Sequence, residues 1–198
     1  RPVRVVRHDK DALARVATAL AFENGDMPVD YDLTVGAALD GRGRHDAVPR
    51  GFEASSMTFE IMVDYGAYRD LQRHRLLSPA AQRLTASLGF ETPPELDEMG
   101  FGISYLEAMY AALDTWEVLV KSHPLEAQYA VPLGYRIRVL WTLNLRELFH
   151  VVELRSGKQG HESYRKIAQG LYREACAAHP WLADLIRVDL NDYPLARA

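Results

Sequence analysis

The apolar residues of four segments recur three and four positions apart, the spacing that places them on one face of a helix. These segments are residues 11–22, 105–120, 144–155 and 162–178. Two shorter segments, residues 57–63 and 136–142, are rich in β-prone side chains and predict strands. Helices and strands in this irregular order predict an α+β fold with a mixed or antiparallel sheet flanked by helices.

Capping and turn residues predict where further elements begin and end. Asp9 or Asp11 can cap the first helix through its carboxylate. Ser78-Pro79 has the form of a helix N-cap followed by proline, so we expect a helix from there to Gly89. Residues 28–50 contain glycines that interrupt any period, which predicts a loop-rich segment with a short helix near residues 35–39.

The chain has 198 residues, of which 48% are hydrophobic and 25% charged, as is usual in globular proteins. We expect one domain over residues 1–198, either alone or as one unit of a longer or duplicated protein. No apolar run approaches the roughly 20 residues of a membrane span, and a net charge of −4 argues against a general nucleic-acid binder. The single cysteine, Cys176, favours a reducing compartment, the cytoplasm. It is expected to be a small buried residue rather than a nucleophile, because no basic residue adjoins it.

Positive charge is concentrated around Arg73-His74-Arg75 in an otherwise acidic chain. Two guanidinium groups beside an imidazole can hold a phosphate through paired hydrogen bonds. On a strand the two arginines would share one face and His74 would lie on the other. A solvated charged turn explains the same residues without a ligand, so both interpretations stay open.

The segment 144–155 carries a polar stripe of Arg146, His150 and Glu153 beside its apolar face. Arg155 stands at the end of the predicted helix. A cation there stabilises the helix dipole, and its position alone favours that explanation. A functional arginine would instead reach into a cleft and polarise a substrate oxygen.

Candidate metal ligands are sparse. His161 and Glu162 adjoin each other, but no second closely spaced His or Cys accompanies them. Asp97 and Glu98 have the surroundings of solvated loop residues. We therefore expect no metal site.

Two blocks of the sequence resemble the flavin-dependent thymidylate synthase family, also called thymidylate synthase complementing proteins. The family signature has the form Arg-His-Arg-x-x-Ser-x-Asn-Glu-x-Ser-x-Arg-Tyr, and residues 73–78 (RHRLLS) match its first half. Residues 141–146 (WTLNLR) with 153–155 (ELR) resemble the family's later strand–helix block. The resemblance covers most of residues 58–180 and implies the family's fold.

The resemblance also implies ligands. The family's Arg-His-Arg element helps to bind FAD, and its later block supplies an Asn near the flavin, an Arg that activates the pyrimidine, and a further His. The implied cofactor-binding residues are Arg73, His74, Arg75, Asn144, His150 in the place of the family's Asn, and Gln159 in the place of its His. The implied substrate-binding residues are Ser78, Arg83 and Arg155, of which Arg155 is also catalytic.

The second half of the signature is missing. Ala80 and Ala81 stand at the positions of its Asn and Glu, Arg83 at that of its second Ser, and Thr85 and Ala86 at those of its final Arg and Tyr. In the family these residues grip the nucleotide, and losing several charged contacts at a buried phosphate removes ordinary affinity for dUMP. Arg83, one turn from Ala80 in the expected helix, is a candidate replacement.

We therefore expect a divergent family member that binds FAD and methylates a pyrimidine nucleotide, dUMP or a related substrate, with reduced flavin and a folate as one-carbon donor. The family's enzymes are homotetramers whose active sites combine several subunits, so the resemblance also implies a homo-oligomer, a tetramer. The alternative is a non-catalytic family member that keeps the fold as a structural or partner domain and has lost the nucleotide site.

Overall fold

The computed structural model describes residues 1–193 as an α+β fold built on one antiparallel sheet. The strands are β1 (Val3–His8), β2 (Ser56–Asp64), β3 (Leu77–Ala81) and β4 (Arg136–Asn144). The helices are α1 (Ala12–Glu23), α2 (Tyr31–Leu39), α3 (Tyr65–Leu71), α4 (Pro94–Glu98), α5 (Gly102–Leu119), α6 (Leu145–Arg155) and α7 (Glu162–Ala178). The strand order is β1-β2-β4-β3, and every pair is antiparallel. The predicted fold class is confirmed.

The centre of the sheet is the pair β2 and β4, which stay in register from Ser56 opposite Asn144 to Asp64 opposite Arg136. Alternate side chains are buried, as the period of two in a strand requires. The buried set is Met57, Phe59, Ile61, Val63, Ile137, Val139, Trp141 and Leu143. On this side α7 packs on β1 and β2 and also contacts α6. The opposite face is more open, and there Glu60 pairs with Arg4 and Arg138.

The helices predicted from apolar spacing are confirmed as α1, α5, α6 and α7, and the two predicted strands as β2 and β4. The expected short helix is confirmed as α2, which begins earlier because the Asp30 carboxylate caps it at the Leu33 N–H. The carboxylate cap predicted for α1 is wrong. Asp11 makes no side-chain cap bond, and Asp9 instead accepts a hydrogen bond from the Ser56 N–H at 2.9 Å. This bond ties the end of β1 to β2.

The helix predicted from Ser78 to Gly89 is also wrong. Leu77–Ala81 is strand β3, hydrogen-bonded to β4. Proline is tolerated there because β3 is an edge strand, which leaves one side of its backbone without a neighbour. Gly89 has the positive φ expected of a glycine cap, 70°, but its ψ of −175° is not that of a left-handed helical cap, and it ends a single 3-10 turn, Ala86–Leu88.

Helix α5 buries little of its surface within the chain. Only Gly102 and Met109 of its residues are buried, and the Met109 carbonyl accepts a hydrogen bond from the Tyr135 hydroxyl at 2.6 Å. Tyr110, which the sequence pattern places on the inner face, is 55% exposed. Among residues 1–193 no helix is both long and apolar enough to cross a membrane.

Candidate active site

The Arg-His-Arg element forms the turn between α3 and β3. His74 is buried, with 7% of its surface exposed, while Arg73 and Arg75 are exposed on either side of it. The turn is closed by a backbone hydrogen bond from the His74 N–H to the Leu71 carbonyl at 3.2 Å. The backbone is therefore that of the turn interpretation, and the strand arrangement, with both arginines on one face, does not apply. The histidine between the two arginines is nevertheless buried, and a turn with a purely solvated role would not need a buried histidine.

His74 is held by both nitrogens of its ring. Its Nδ1 lies 3.1 Å from Oε1 of Glu147, and its Nε2 lies 2.9 Å from Nε of Arg155, which donates to it. Glu147 and Arg155 lie about two turns apart on α6. The His150 ring, between them on the same helix, meets the His74 ring edge to face at 5.4 Å. The turn after α3 is thus attached to α6 along most of that helix.

Arg155 lies in the last turn of α6 and is partly exposed. Besides its bond to His74, its Nη2 points at the Asp70 carbonyl at 3.4 Å, and its guanidinium lies 5.3 Å from the centre of the Tyr164 ring. The position at the helix end agrees with the dipole explanation. The side chain, however, turns to the Arg-His-Arg element, so the helix end and the cationic turn belong to one cluster.

The remaining predicted site residues are spread around this cluster. Asn144 caps α6, since its Oδ1 accepts from the Glu147 N–H at 2.9 Å. Ser78 is exposed on β3, and Arg83 is exposed in the loop that follows. Gln159 is exposed in the turn before α7, where its amide lies against Gly157.

The proposed replacement of the lost nucleotide contacts by Arg83 depended on a helical turn between Ala80 and Arg83. That turn does not exist, because Ala80 belongs to β3 and the chain leaves the strand before Arg83. Thr85, at the position of the family's final Arg, caps the 3-10 turn by accepting from the Ser87 N–H at 3.0 Å. The stretch 79–86 therefore has the structure of an edge strand and a loop.

The polar stripe of α6 divides into two structural ion pairs and one site residue. Arg146 donates to the Val48 carbonyl and to Glu53, each at 2.7 Å. Glu153 accepts from Arg42 at 2.5 Å. Both pairs attach the segment after α2 to α6, and only His150 of the three faces His74.

The residues considered for a metal site have structural roles. The His161 Nδ1 caps α7 by accepting from the Ser163 N–H at 3.2 Å. Glu162 forms an ion pair with Lys166 one turn later. Within residues 1–193, no three His, Cys, Asp or Glu side chains are grouped so that they could hold a metal ion.

The sequence model of the family described as thymidylate synthase complementing protein matches residues 5–181. The chain belongs to this family. The chain is similar to proteins named UPF0159 from Chlamydia muridarum (37% identity) and Chlamydia pneumoniae (38%), in each case over 98% of this chain and 40% of the relative. A UPF0159 protein of Thermoplasma acidophilum is 43% identical over 79% of this chain and 32% of its own length. The chain thus spans less than half of the length of each of these relatives.

A solved structure shares the fold. It is the flavin-dependent thymidylate synthase ThyX of Helicobacter pylori, complexed with FAD and dUMP, with a TM-score of 0.68 and 19% identity. The match covers 94% of this chain and 100% of the ThyX chain. The family's fold, expected from the two sequence blocks, is confirmed.

Sequence reasoning missed three residues of this family member's cluster: Glu147, Asp70 and Tyr164. Glu147 is 4% exposed, although a carboxylate is expected at the surface unless it has a partner. Its signal was present in the sequence, because it lies among the apolar residues of α6, next to Leu148. A charged residue within the buried face of a helix predicts a buried partner, but the sequence does not say that the partner is His74.

Proposed function

We propose that this chain is a divergent flavin-dependent thymidylate synthase-like protein of the cytoplasm. It binds FAD and methylates a pyrimidine nucleotide, dUMP or a related substrate, with reduced flavin and a folate one-carbon donor. The observation that carries the proposal is the 2.9 Å hydrogen bond from Arg155 to His74. It joins the two sequence blocks that resemble the family, although 81 positions separate these residues.

Arg73 and Arg75 are the groups that fit the phosphates of FAD. The Arg73 side chain is 74% exposed, and its ion pair with Asp70 is long at 3.4 Å. Arg75 is also exposed. Guanidinium groups that protrude from one turn can bind a diphosphate in bidentate fashion without losing a buried partner. His74 contributes by holding the turn, and the exposed His150 lies beside it on the proposed cofactor side.

Arg155 is the proposed catalytic residue. Its Nε is used by His74 and its Nη2 makes only a long contact with the Asp70 carbonyl. The remaining guanidinium N–H groups can donate to a carbonyl oxygen of a pyrimidine and stabilise negative charge that develops there. Because Arg155 is partly exposed, a planar ligand can reach it from solvent. For Asn144 and Gln159 a ligand contact remains a prediction from the resemblance.

A homo-oligomer, a tetramer as in the family, belongs to the proposal. The apolar side chains on and next to α5 support it. Each of these is at least 55% exposed in the single chain: Phe101, Ile103, Tyr110 and Val118. Exposed apolar surface of this extent is typical of a face that another subunit covers.

The test of flavin binding uses the purified chain. Protein with FAD should show the visible absorbance of a bound flavin and a raised melting temperature. Arg73→Ala and Arg75→Ala should each lose FAD, while Arg155→Ala should keep FAD and lose turnover. Arg173→Ala, which removes an exposed arginine from α7, is the matched control and should leave FAD binding unchanged. Colourless protein with no thermal shift on adding FAD would overturn the proposal.

The alternative function, a non-catalytic family member that serves as a structural or partner domain, is favoured by one observation. Ala80 and Ala81 are exposed on β3, so methyl groups stand where the family signature has an amide and a carboxylate. Isothermal titration with dUMP, taken together with the FAD-binding test, distinguishes the two functions. Loss of both FAD and dUMP binding supports the alternative, whereas FAD binding without dUMP binding supports a flavoprotein that acts on another substrate. Tight binding of dUMP would show that these positions are not needed for the nucleotide.

A further inference from the structure

We propose that Glu147 is a positioning residue, which fixes the orientation of the Arg155 guanidinium through His74. The catalytic meaning of this arrangement rests on the proposed function, but the arrangement itself is a property of the folded chain. It follows from the direction of each hydrogen bond, the burial of His74 and Glu147, and the place of Glu147 on α6.

The hydrogen-bond directions allow one arrangement of protons. The Nε of Arg155 carries a hydrogen and cannot accept. Because it lies 2.9 Å from Nε2 of His74, that ring nitrogen must be the acceptor and therefore carries no hydrogen. The hydrogen of the neutral imidazole is then on Nδ1, which faces Oε1 of Glu147 at 3.1 Å. A carboxylate oxygen only accepts, so the chain of donors runs from Arg155 to His74 to Glu147.

Burial makes the Glu147 contact necessary. The side chains of His74 and Glu147 are each 4% exposed. In residues 1–193, His74 is the hydrogen-bond partner of the Glu147 carboxylate. A buried carboxylate and a buried N–H group without partners would each pay their full desolvation cost, so the pair is kept together.

Glu147 is itself held in place by the start of α6. Its backbone N–H donates to Oδ1 of the N-cap residue Asn144 at 2.9 Å, in the first turn of the helix. The helix therefore presents Glu147 at one end and Arg155 at the other, and His74 spans the two. A group held by a capped helix is better placed than one on a loop, because its backbone is rigid.

Removal of the Glu147 carboxylate would release the ring of His74 to its other neutral form, with the hydrogen on Nε2. That hydrogen would then face the Nε hydrogen of Arg155, and two donors repel at 2.9 Å. Arg155 would have to turn away from His74, with the Asp70 carbonyl and the Tyr164 ring as its other contacts. A displacement of this kind, about 1 Å at a catalytic group, is enough to reduce a rate roughly 100-fold.

The test reads the ring and the guanidinium directly by NMR of protein labelled with 15N at histidine and arginine, with neither FAD nor nucleotide added. The wild-type protein should show His74 with its hydrogen on Nδ1 and an unprotonated Nε2, and a slowly exchanging Arg155 Nε hydrogen. Glu147→Leu should shift His74 toward the Nε2–H form and broaden the Arg155 signal. Glu147→Gln should restore both, because the amide oxygen can accept from Nδ1.

Glu153→Gln is the matched control, since it neutralises a carboxylate on the same helix that pairs with Arg42 and not with His74. Its His74 signals should equal those of the wild type. If Glu147→Leu does not fold, the wild-type spectrum still decides, because a hydrogen on Nε2 of His74, or on both nitrogens, overturns the proposal. A wild-type ring form that persists unchanged in folded Glu147→Leu overturns it as well.

These signals do not depend on ligand, so they separate this proposal from the proposed function. If FAD does not bind but the His74 and Arg155 signals change as expected, Glu147 positions Arg155 and the flavin proposal has failed. If the chain is active, Glu147→Leu should lower kcat roughly 100-fold with little change in FAD affinity, and Glu147→Gln should recover most of the rate. An unchanged kcat in Glu147→Leu overturns the positioning role.

Discussion

Asn144 offers a measurement that separates a structural role from a ligand contact. Its Oδ1 accepts from the Glu147 N–H at 2.9 Å, and its backbone is extended, with φ of −75° and ψ of 166°. This is the geometry of a helix N-cap. In Asn144→Ala the N–H of Glu147 loses its acceptor, which typically costs about 1 kcal/mol, within a range of about 0.5–2 kcal/mol.

The effect can be stated as a shift of the unfolding transition. For a chain of 198 residues, a loss of about 1 kcal/mol lowers Tm by roughly 2–4 °C. Asn144→Ser and Asn144→Asp keep an oxygen that can accept from the same N–H, and serine, aspartate and asparagine are nearly equal caps. Both should therefore unfold close to the wild type. Urea titration measures the midpoints, and the slope of the transition should not change among the variants.

The same three variants test the flavin contact that the family resemblance assigns to Asn144. A ligand held by the side-chain NH2 group would lose that donor in all three, so FAD affinity would fall in every variant while stability falls only in the alanine variant. If affinity falls only in the alanine variant, the cap alone explains the effect. Wild-type stability in Asn144→Ala would refute the capping argument.

Three further predictions concern the core and two titrating groups. Phe59→Ala, at a fully buried position of β2, should lower the free energy of unfolding by about 3–5 kcal/mol. Met62→Ala, on the open face of the same strand, should lower it by less than about 1 kcal/mol. Similar urea midpoints for the two variants would contradict this. Burial and the neighbouring His8 lower the pKa of His179 from its ordinary 6.5. The unfolded chain therefore binds a proton at this residue more readily than the folded chain, and the free energy of unfolding should fall as the pH drops below 6.5. His179→Gln should weaken this pH dependence. Burial raises the pKa of the Cys176 thiol, so iodoacetamide at pH 7 should modify it more slowly in the folded than in the urea-unfolded protein.

The helices were predictable because their signal is local. The apolar period of α7 is visible over the 17 residues of the helix, and the prediction and the structure agree on both ends, Glu162 and Ala178. Strands β1 and β3 were missed because their signal is not local. The six residues of β1 become a strand by pairing with β2, with an irregularity between Val5 and Arg7. The Ser78-Pro79 pair is compatible both with the start of a helix and with an edge strand. Pairing with β4 makes this segment a strand.

For the site, the sequence predicted which motifs meet but not how. The order of the two family blocks indicated that His74 and Arg155 belong to one site, and the structure joins them directly. Glu147 could not be assigned, because its partner lies 73 positions away and no local pattern links them. Cys176 was predicted to be buried and is only partly so, although it packs against the core.

The two halves of the family signature differ in whether the folded structure requires particular side chains at their positions. His74 is part of the buried connection to α6, so the fold alone is a sufficient reason for a histidine there. Ala80 and Ala81 lie exposed on an edge strand, where the fold places no demand on the side chain. Arg73 and Arg75 are exposed too, and they carry charge at a place where folding does not need it. His74 therefore supports the proposal by joining the two family blocks, whereas the two arginines are the residues of this element whose own chemistry argues for a bound anion.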